Sequence, residues 1–387
     1  MGTKDSSAKP ARKLIQIYDV ARGGMGVGRV IDESDDYAGR VIFVAHTAPG
    51  DQIWCDVFKM KKKHGFARAV EYVQRSEQRV EPRCSAFEKC GGCDWQHLSL
   101  NDQWKIKKEG AITALKKALR FADMEVEFPH LEEFPALQGY GYRNRIQLHR
   151  FDDFLGFYEK GTQKGVRIEN CELAHEEIQH WMKHSMASTS LKGKKLELTW
   201  TGQDILLQWD LANSERNFRQ INDTQNKALV SWVQSHFLEG FHCYDLYGGS
   251  GNLSLSWAKK LHSIDCVDLS PLEKVDSWVE NLDFHRKSVS DWLKAQEKKE
   301  IPTFAVLDPP RSGMSDHAQS IVAHLKRLGV QRVILVHCDV DAWCKDMVEF
   351  QKQGATWLSF AAFDFFPQTH HLELGSVLTF DTELSSS

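Results

Sequence analysis

Short runs of alternating apolar and polar residues dominate the first eighty positions. Ile15-Gln-Ile-Tyr-Asp-Val, Ile53-Trp-Cys-Asp-Val-Phe and Ala67-Arg-Ala-Val-Glu-Tyr-Val follow a period of two, Val41-Ile-Phe-Val is β-branched, and Ala48-Pro-Gly-Asp is a turn signal. The series predicts a small β-barrel. Gly23-Gly-Met-Gly-Val-Gly28 lacks the GxGxxG spacing and precedes no helical pattern, so it predicts bends in a coiled strand. From Leu100 to Ala122 the period changes to that of a helix, with apolar residues that include Trp104, Ile106, Ile112, Leu115 and Leu119. Strand signals return at Arg145-Ile-Gln-Leu-His, Leu155-Gly-Phe-Tyr and Val166-Arg-Ile. Leu196-Glu-Leu-Thr-Trp and Ile205-Leu-Leu-Gln-Trp flank a hairpin turn at Thr201-Gly-Gln-Asp.

From about Asn217 onward helix and strand alternate. Lys227 to Leu238 is helical, and Cys243-Tyr-Asp-Leu-Tyr, Ile264-Asp-Cys-Val, Phe304-Ala-Val-Leu and Val333-Ile-Leu-Val are buried-strand runs. This order builds a doubly wound α/β sheet, whose ligands sit at the carboxyl ends of the strands.

The chain has 387 residues, 42% hydrophobic and 26% charged, which suits two or three globular domains. No apolar run approaches the ~18 residues of a spanning helix, and the amino terminus has no apolar core for a secretory signal. A cytoplasmic protein without membrane partners is expected. The net charge is −4, but Lys59–Arg83 holds eight Lys/Arg against three Asp/Glu, and Lys105–Arg120 holds six against one. These patches suit a polyanion-facing surface, and equally the solvated faces of a strand and a helix. The barrel is plausible as one of the oligonucleotide-binding kind.

Nine cysteines without a secretory signal argue against a disulfide framework. Cys84-x5-Cys90-x2-Cys93, with Gly91-Gly92 between the last two, suits a thiolate-bound metal centre, for which Cys171 would supply a distant fourth ligand. Zinc and a [4Fe–4S] cluster both accept four cysteines, and the single CxxC pair tilts the choice towards iron–sulfur. Asp245-Leu-Tyr-Gly-Gly-Ser-Gly-Asn252 follows a strand and opens an expected helix at Leu253, with Asp268 ending the next strand, where an acid can accept ribose hydroxyls. The spacing fits a nucleoside cofactor, and its form favours S-adenosylmethionine over NAD. Asp308-Pro-Pro-Arg-Ser-Gly313 makes a rigid bend after a strand that could be functional or merely structural. Cys338 leaves a parallel strand as a candidate nucleophile, with a buried structural cysteine as the commoner alternative. Thr369-His-His-Leu-Glu373, in an expected loop, offers Glu373 as a candidate general base.

Taken in order, these stations resemble the RNA uracil-5-methyltransferases, and specifically the iron–sulfur ribosomal-RNA branch with an amino-terminal TRAM barrel. The resemblance runs from about Leu14 to Phe380 and includes Gly23-Gly-Met-Gly-Val-Gly-Arg, Cys84-x5-Cys-Gly-Gly-Cys-Asp-Trp-Gln-His97, Tyr142-Arg-Asn-Arg, Leu155-Gly-Phe-Tyr, Asn170-Cys171 and Phe218-Arg-Gln-Ile-Asn222, besides the motifs above. It implies that Cys84, Cys90, Cys93 and Cys171 hold a [4Fe–4S] cluster. It places Gln220, Tyr247, Asn252, Asp268 and Asp308 on S-adenosylmethionine, Cys338 as nucleophile and Glu373 as base. The implied domains are a basic tail at 1–12, the TRAM-like barrel at 13–79, a central mixed α+β iron–sulfur region at 80–215 and a Rossmann-like methyltransferase domain at 216–384. The helix over 100–122 would pack on the last of these.

The implied reaction adds the Cys338 thiolate to C6 of uracil, methylates C5 and removes the C5 proton with Glu373. A monomer acting on a single-stranded or looped target in ribosomal RNA is expected. The chain departs from the family pattern at several points. Gly248 stands where the family has cysteine, the stretch after Asp268 is short, and Ser288 aligns with an acid near the adenine. Asp339-Val340 replaces Asn-Pro after the nucleophile, and a charge there would raise the thiol pKa if both faced one cavity. An RNA-binding protein with impaired catalysis, and a methyltransferase acting on cytosine C5, are the alternatives.

Overall fold

The computed structural model describes residues 11–211, 220–270 and 279–380. Residues 1–10 of the tail expected at 1–12, the boundary between 215 and 216, Phe218 and Arg219, most of the short stretch after Asp268 and the last expected residues, 381–384, lie outside them; Ala11 and Arg12, placed in that tail, instead open the first strand.

Strands β1 (Ala11–Val20), β2 (Met25–Val30), β3 (Val41–Ala45), β4 (Gln52–Met60) and β5 (His64–Gln74) close into a barrel in the order β1-β2-β3-β5-β4. Alternation in sequence becomes alternation in burial: Ile15, Ile17, Ile42, Val44, Ile53 and Cys55 are fully inside. The glycine run forms the β1–β2 hairpin. Gly24 turns it at φ +90°, and a Cβ on Gly28 would lie 2.5 Å from Ile15 Cγ2. The run shapes the barrel.

Helix α1 (Leu100–Phe121) starts where Ser99 Oγ accepts from Asp102 N at 3.1 Å. A five-stranded sheet follows, ordered β11-β10-β7-β8-β9, from β7 (Arg145–Phe151), β8 (Phe154–Tyr158), β9 (Gly165–Arg167), β10 (Lys195–Trp200) and β11 (Ile205–Trp209). Helix α2 (Glu176–His184) packs on it through Ile178 and Met182.

The largest sheet has eight strands in the order β14-β13-β12-β15-β16-β18-β17-β6. Five are parallel: β12 (His242–Leu246), β13 (Ser263–Asp268), β14 (Leu282–Arg286), β15 (Thr303–Leu307) and β16 (Val330–His337). β18 (Glu373–Thr379) inserts antiparallel between β16 and β17 (Thr356–Phe363), and β6 (Leu131–Phe134) joins the edge parallel to β17. One face is covered by α1 with α4 (Val289–Lys294), α5 (Ala318–Arg327) and α6 (Val340–Lys352). The other carries α3 (Asp223–Ser235). Residues 100–134 are thus built into the third region's sheet rather than into the five-stranded one. Lys107, counted in the basic patch of α1, is buried and paired with Asp364 at 2.6 Å, so that patch is smaller than its charge count.

Candidate active site

Strand register alone gathers the expected residues. Leu246 lies level with Val267 and with Leu307, so Tyr247, Asp268 and Asp308 emerge at the carboxyl ends of three adjacent parallel strands. His337 faces Leu374 across the antiparallel β16–β18 pair, which sets Cys338 opposite Glu373. Glu373 is therefore the first residue of a strand, and Thr369 to Leu372 lie in the preceding loop. Gln220 is buried beside the same loop. Its carbonyl accepts from Asn144 Nδ2, while its neighbour Asn222 donates to Phe365 O at 3.1 Å.

The electrostatics of this cleft are those of crowded acids. Burial pushes the Cys338 thiol up to about 12, helped by the charges of Glu373 and Asp308, with Arg311 acting in the opposite direction. Burial, then Asp308, holds Glu373 well above the usual carboxylate range. Asp308 is raised to about 7 by burial and by Asp245 and Asp268. Asp245 is raised to about 6 by burial and by Asp268, against the hydrogen bond it accepts from Ser254 Oγ at 2.5 Å. Asp245 and Asp308, raised by burial and by neighbouring acids, form with Asp268 an acidic cradle for a cationic ligand.

Several sequence expectations change in detail. The glycine loop leads into turns and a short 3₁₀ segment, Leu255–Lys260, not an α-helix at Leu253, so the loop does not open on a helix amino terminus. Tyr247 instead turns the chain at φ +60°, and Gly249 N donates to Asp268 Oδ2 at 3.1 Å. A Cβ at Gly248 would stand 2.7 Å from Cys266 Sγ, which occupies the space a larger residue there would need. The two amide groups of Asn252 and Asn226 pair reciprocally, both bonds at 3.1 Å, so Asn252 is already engaged. Ser288 caps α4 through Asp291 N. Asp339 does not share the thiol's cavity: its Oδ1 accepts from Asp341 N at 3.0 Å and Ala342 N at 2.9 Å, as the amino-terminal cap of α6.

Cys84, Cys90, Cys93 and Cys171 line a separate cavity of about 260 Å³, together with Arg143. Burial raises Cys90 to about 11 and Cys93 to about 12, the other thiols push the same way, and Arg143 opposes them. Among the described residues, no three His, Cys, Asp or Glu side chains are arranged to hold one metal ion. All nine cysteines are free.

Two buried groups escaped the sequence reading. Asp346 Oδ2 accepts from Met314 N at 2.9 Å and pairs with His337 Nε2 at 2.8 Å, joining the turn after Asp308 to the residue before Cys338. Asp94 pairs with His370. Asp94 stands inside the quoted cysteine motif without a role of its own and Asp346 in a helical stretch that carries no motif, and only the fold reveals their partners.

The family profile described as tRNA (Uracil-5-)-methyltransferase matches residues 208–380. An uncharacterized RNA methyltransferase of Bdellovibrio bacteriovorus is 28% identical, covering 95% of each chain. A 23S rRNA (uracil(1939)-C(5))-methyltransferase RlmD of Shewanella halifaxensis is 25% identical over 96% of each. The crystal structure of Pyrococcus abyssi tRNA (uracil-54, C5)-methyltransferase with S-adenosyl-L-homocysteine superposes with a TM-score of 0.65 at 20% identity, covering 95% of this chain and 99% of the other. That likeness establishes a shared α/β methyltransferase fold. No helix among the described residues is long and apolar enough to cross a membrane.

Proposed function

We propose, from the premise that this chain belongs to the tRNA (uracil-5-)-methyltransferase family and is a methyltransferase, that it methylates C5 of a uridine in ribosomal RNA. The observation that carries the proposal is the pairing of Cys338 with Glu373 across β16 and β18, beside the acidic cradle.

S-adenosylmethionine supplies the methyl group. Its fit rests on the cradle of Asp245, Asp268 and Asp308, in which the crowding of acids that raises Asp245 and Asp308 favours a positively charged ligand. Tyr247, Asp268 and Asp308 would hold it, with Gln220 beside them; Asn252 would act indirectly, by fixing the glycine loop to α3.

Burial and neighbouring acids raise both the Cys338 thiol and Glu373, so formation of the thiolate and of a carboxylate base is favoured when a cation and the uracil ring change their surroundings. The Cys338 thiolate then forms a bond to C6, and the C5–C6 electrons shift to C5 as an enolate. C5 takes up the methyl group, and the sulfonium leaves as a neutral thioether. Glu373 removes the C5 proton, the double bond re-forms, and the thiolate is expelled. The target must leave its stack, at a few kcal/mol unless already unpaired, which favours a looped or single-stranded site.

The four cysteines would hold a [4Fe–4S] cluster. A single tetrahedral ion needs every sulfur at about 2.3 Å from one point; here the thiols ring a cavity with room for a larger inorganic core, and Arg143 would balance its charge. The protein would act as a monomer in the cytoplasm.

Nucleoside mass analysis of ribosomal RNA treated with anaerobically purified protein and S-adenosylmethionine tests the reading. 5-Methyluridine that disappears in Cys338→Ala is expected. 5-Methylcytidine would overturn the choice of base, and unmodified RNA with intact RNA binding would favour a binding protein.

A further inference from the structure

Glu373 stands at the end of the segment 364–372, which joins β17 to β18. Most of what holds this segment comes from elsewhere in the chain. Phe365 O accepts from Asn222 Nδ2 at 3.1 Å, Phe366 O from Lys107 Nζ at 3.0 Å and Pro367 O from Tyr142 Oη at 3.0 Å. Gln368 O accepts from the backbone N–H groups of both Asp94 and Trp95, at 2.8 and 3.1 Å. Gln368 sits at φ +68°, and its side chain and backbone N–H are matched by Gln103. A non-glycine residue keeps that conformation only where its surroundings dictate it.

The last fastener before the base is Asp94. Its Oδ2 accepts from His370 N at 3.2 Å and from His370 Nδ1 at 2.6 Å, and its Oδ1 takes the Lys160 ammonium. Asp94 is almost fully buried, 6% exposed. An ionised acid only accepts, so the imidazole proton facing it lies on Nδ1. Asp94 directly follows Cys93, and Gln96 Nε2 reaches Cys93 Sγ at 3.2 Å. The cysteine loop and the loop that presents Glu373 therefore form one hydrogen-bonded body.

We infer that Asp94 is a positioning residue for Glu373, acting through His370: the cysteine loop serves as the mount of the catalytic base. This inference rests on the proposed roles of Cys338 and Glu373. A mount that slips misplaces the base, while Cys338, carried on β16, keeps its place. Thiolate addition and methyl transfer then proceed, and only removal of the C5 proton slows. The enzyme should stall as a methylated, covalent protein–RNA adduct on ordinary uridine. A residue that merely stabilised the fold would lower every step together.

The test incubates full-length wild type, Asp94→Asn, His370→Ala and Glu373→Gln with ribosomal RNA and methyl-labelled S-adenosylmethionine, then resolves denaturant-resistant adduct and free methylated RNA. Glu373→Gln should accumulate labelled adduct. Asp94→Asn and His370→Ala should do the same, with adduct decaying at least tenfold more slowly than in wild type and S-adenosylmethionine affinity within about threefold. Lack of adduct in Glu373→Gln would refute the role of Glu373, and this inference with it. Adduct in Glu373→Gln alone, with the other two either turning over normally or losing addition and release together, would overturn the mount and leave the base. Should Asp94→Asn fail to fold, His370→Ala decides, because it leaves the cysteine loop and the Gln368 contacts in place.

Discussion

Asp339 is the position at which charge and structure make opposite claims about reactivity. Two substitutions separate them. Asp339→Ala removes the acceptor for Asp341 N and Ala342 N, whereas Asp339→Asn keeps an acceptor and removes only the charge. Losing such a cap costs typically about 1 kcal/mol, within a range of about 0.5–2. Helix α6 buries Val340, Trp343, Met347 and Phe350, so fraying at its start loosens packed side chains. In a cooperative unit of 150–250 residues, about 1 kcal/mol moves Tm by roughly 2–4 °C. Asp339→Ala should therefore lose about 2–4 °C, and Asp339→Asn less, since asparagine caps about as well as aspartate. The thiol gives the complementary reading. A carboxylate acting on Cys338 from about 5 Å would contribute roughly 3 kcal/mol at an effective dielectric of 20, or more than a hundredfold in thiolate population. The acids that raise this thiol are Glu373 and Asp308. Alkylation of Cys338 by iodoacetamide, followed by peptide mass spectrometry between pH 7 and 9, should change by less than about twofold in Asp339→Asn. A tenfold or greater rise would refute the assignment of Asp339 as a cap directed away from the site.

Other perturbations have clear signs. Lys107→Met strands Asp364, 1% exposed, without its ammonium, and should cost about 3–5 kcal/mol in urea unfolding; adding Asp364→Leu should recover most of it, and a loss below about 1 kcal/mol in the single variant would contradict the pairing. Asp308 and Asp245 have folded-state values of about 7 and about 6, above the ordinary 3.8, so the native state holds protons that the unfolded chain releases. The contribution of these two acids is then fully present below about pH 3.8 and is lost as pH rises through about 6 and about 7, while His46, His97 and His371, held below their ordinary value by burial, act in the opposite direction as pH falls. Scanning calorimetry should find that Asp308→Asn lowers Tm relative to wild type more at pH 5 than at pH 8; a larger relative loss at pH 8 would contradict the raised values. Anaerobic reconstitution should load equal amounts of iron and sulfide, lost in Cys90→Ser, whereas zinc alone at one per chain would displace the cluster assignment.

How much of this was readable beforehand depends on how local each signal was. Alternation around Ile15 and Ile53 predicts the barrel because one face of each strand points inward and the other outward. The buried runs ending at Leu246, Val267, Leu307 and His337 predict the parallel sheet, and with it the shared edge that carries Tyr247, Asp268, Asp308 and Cys338. Glu373 opposite Cys338 was not legible, because that pairing depends on β18 returning between β16 and β17. The helix expected at Leu253 gives way to turns and 3₁₀ backbone beneath a loop rich in glycine, where local periodicity is weak. Lys107 reads as one more surface lysine of a basic helix until Asp364, 257 residues away, turns out to be its partner. Asp339 reads as a charge beside a nucleophile, although its place at the start of an apolar helical run is also that of a cap.

Covalent trapping on RNA containing 5-fluorouridine, with S-adenosylmethionine present, tests the central claim most directly, because fluorine at C5 leaves Glu373 no proton to remove. The account predicts a denaturant-resistant protein–RNA band that forms with wild type, carries the transferred methyl group and disappears in Cys338→Ala. A band that persists in Cys338→Ala would contradict the thiolate at C6. So would rapid methylation of ordinary ribosomal RNA by a protein that never forms the band.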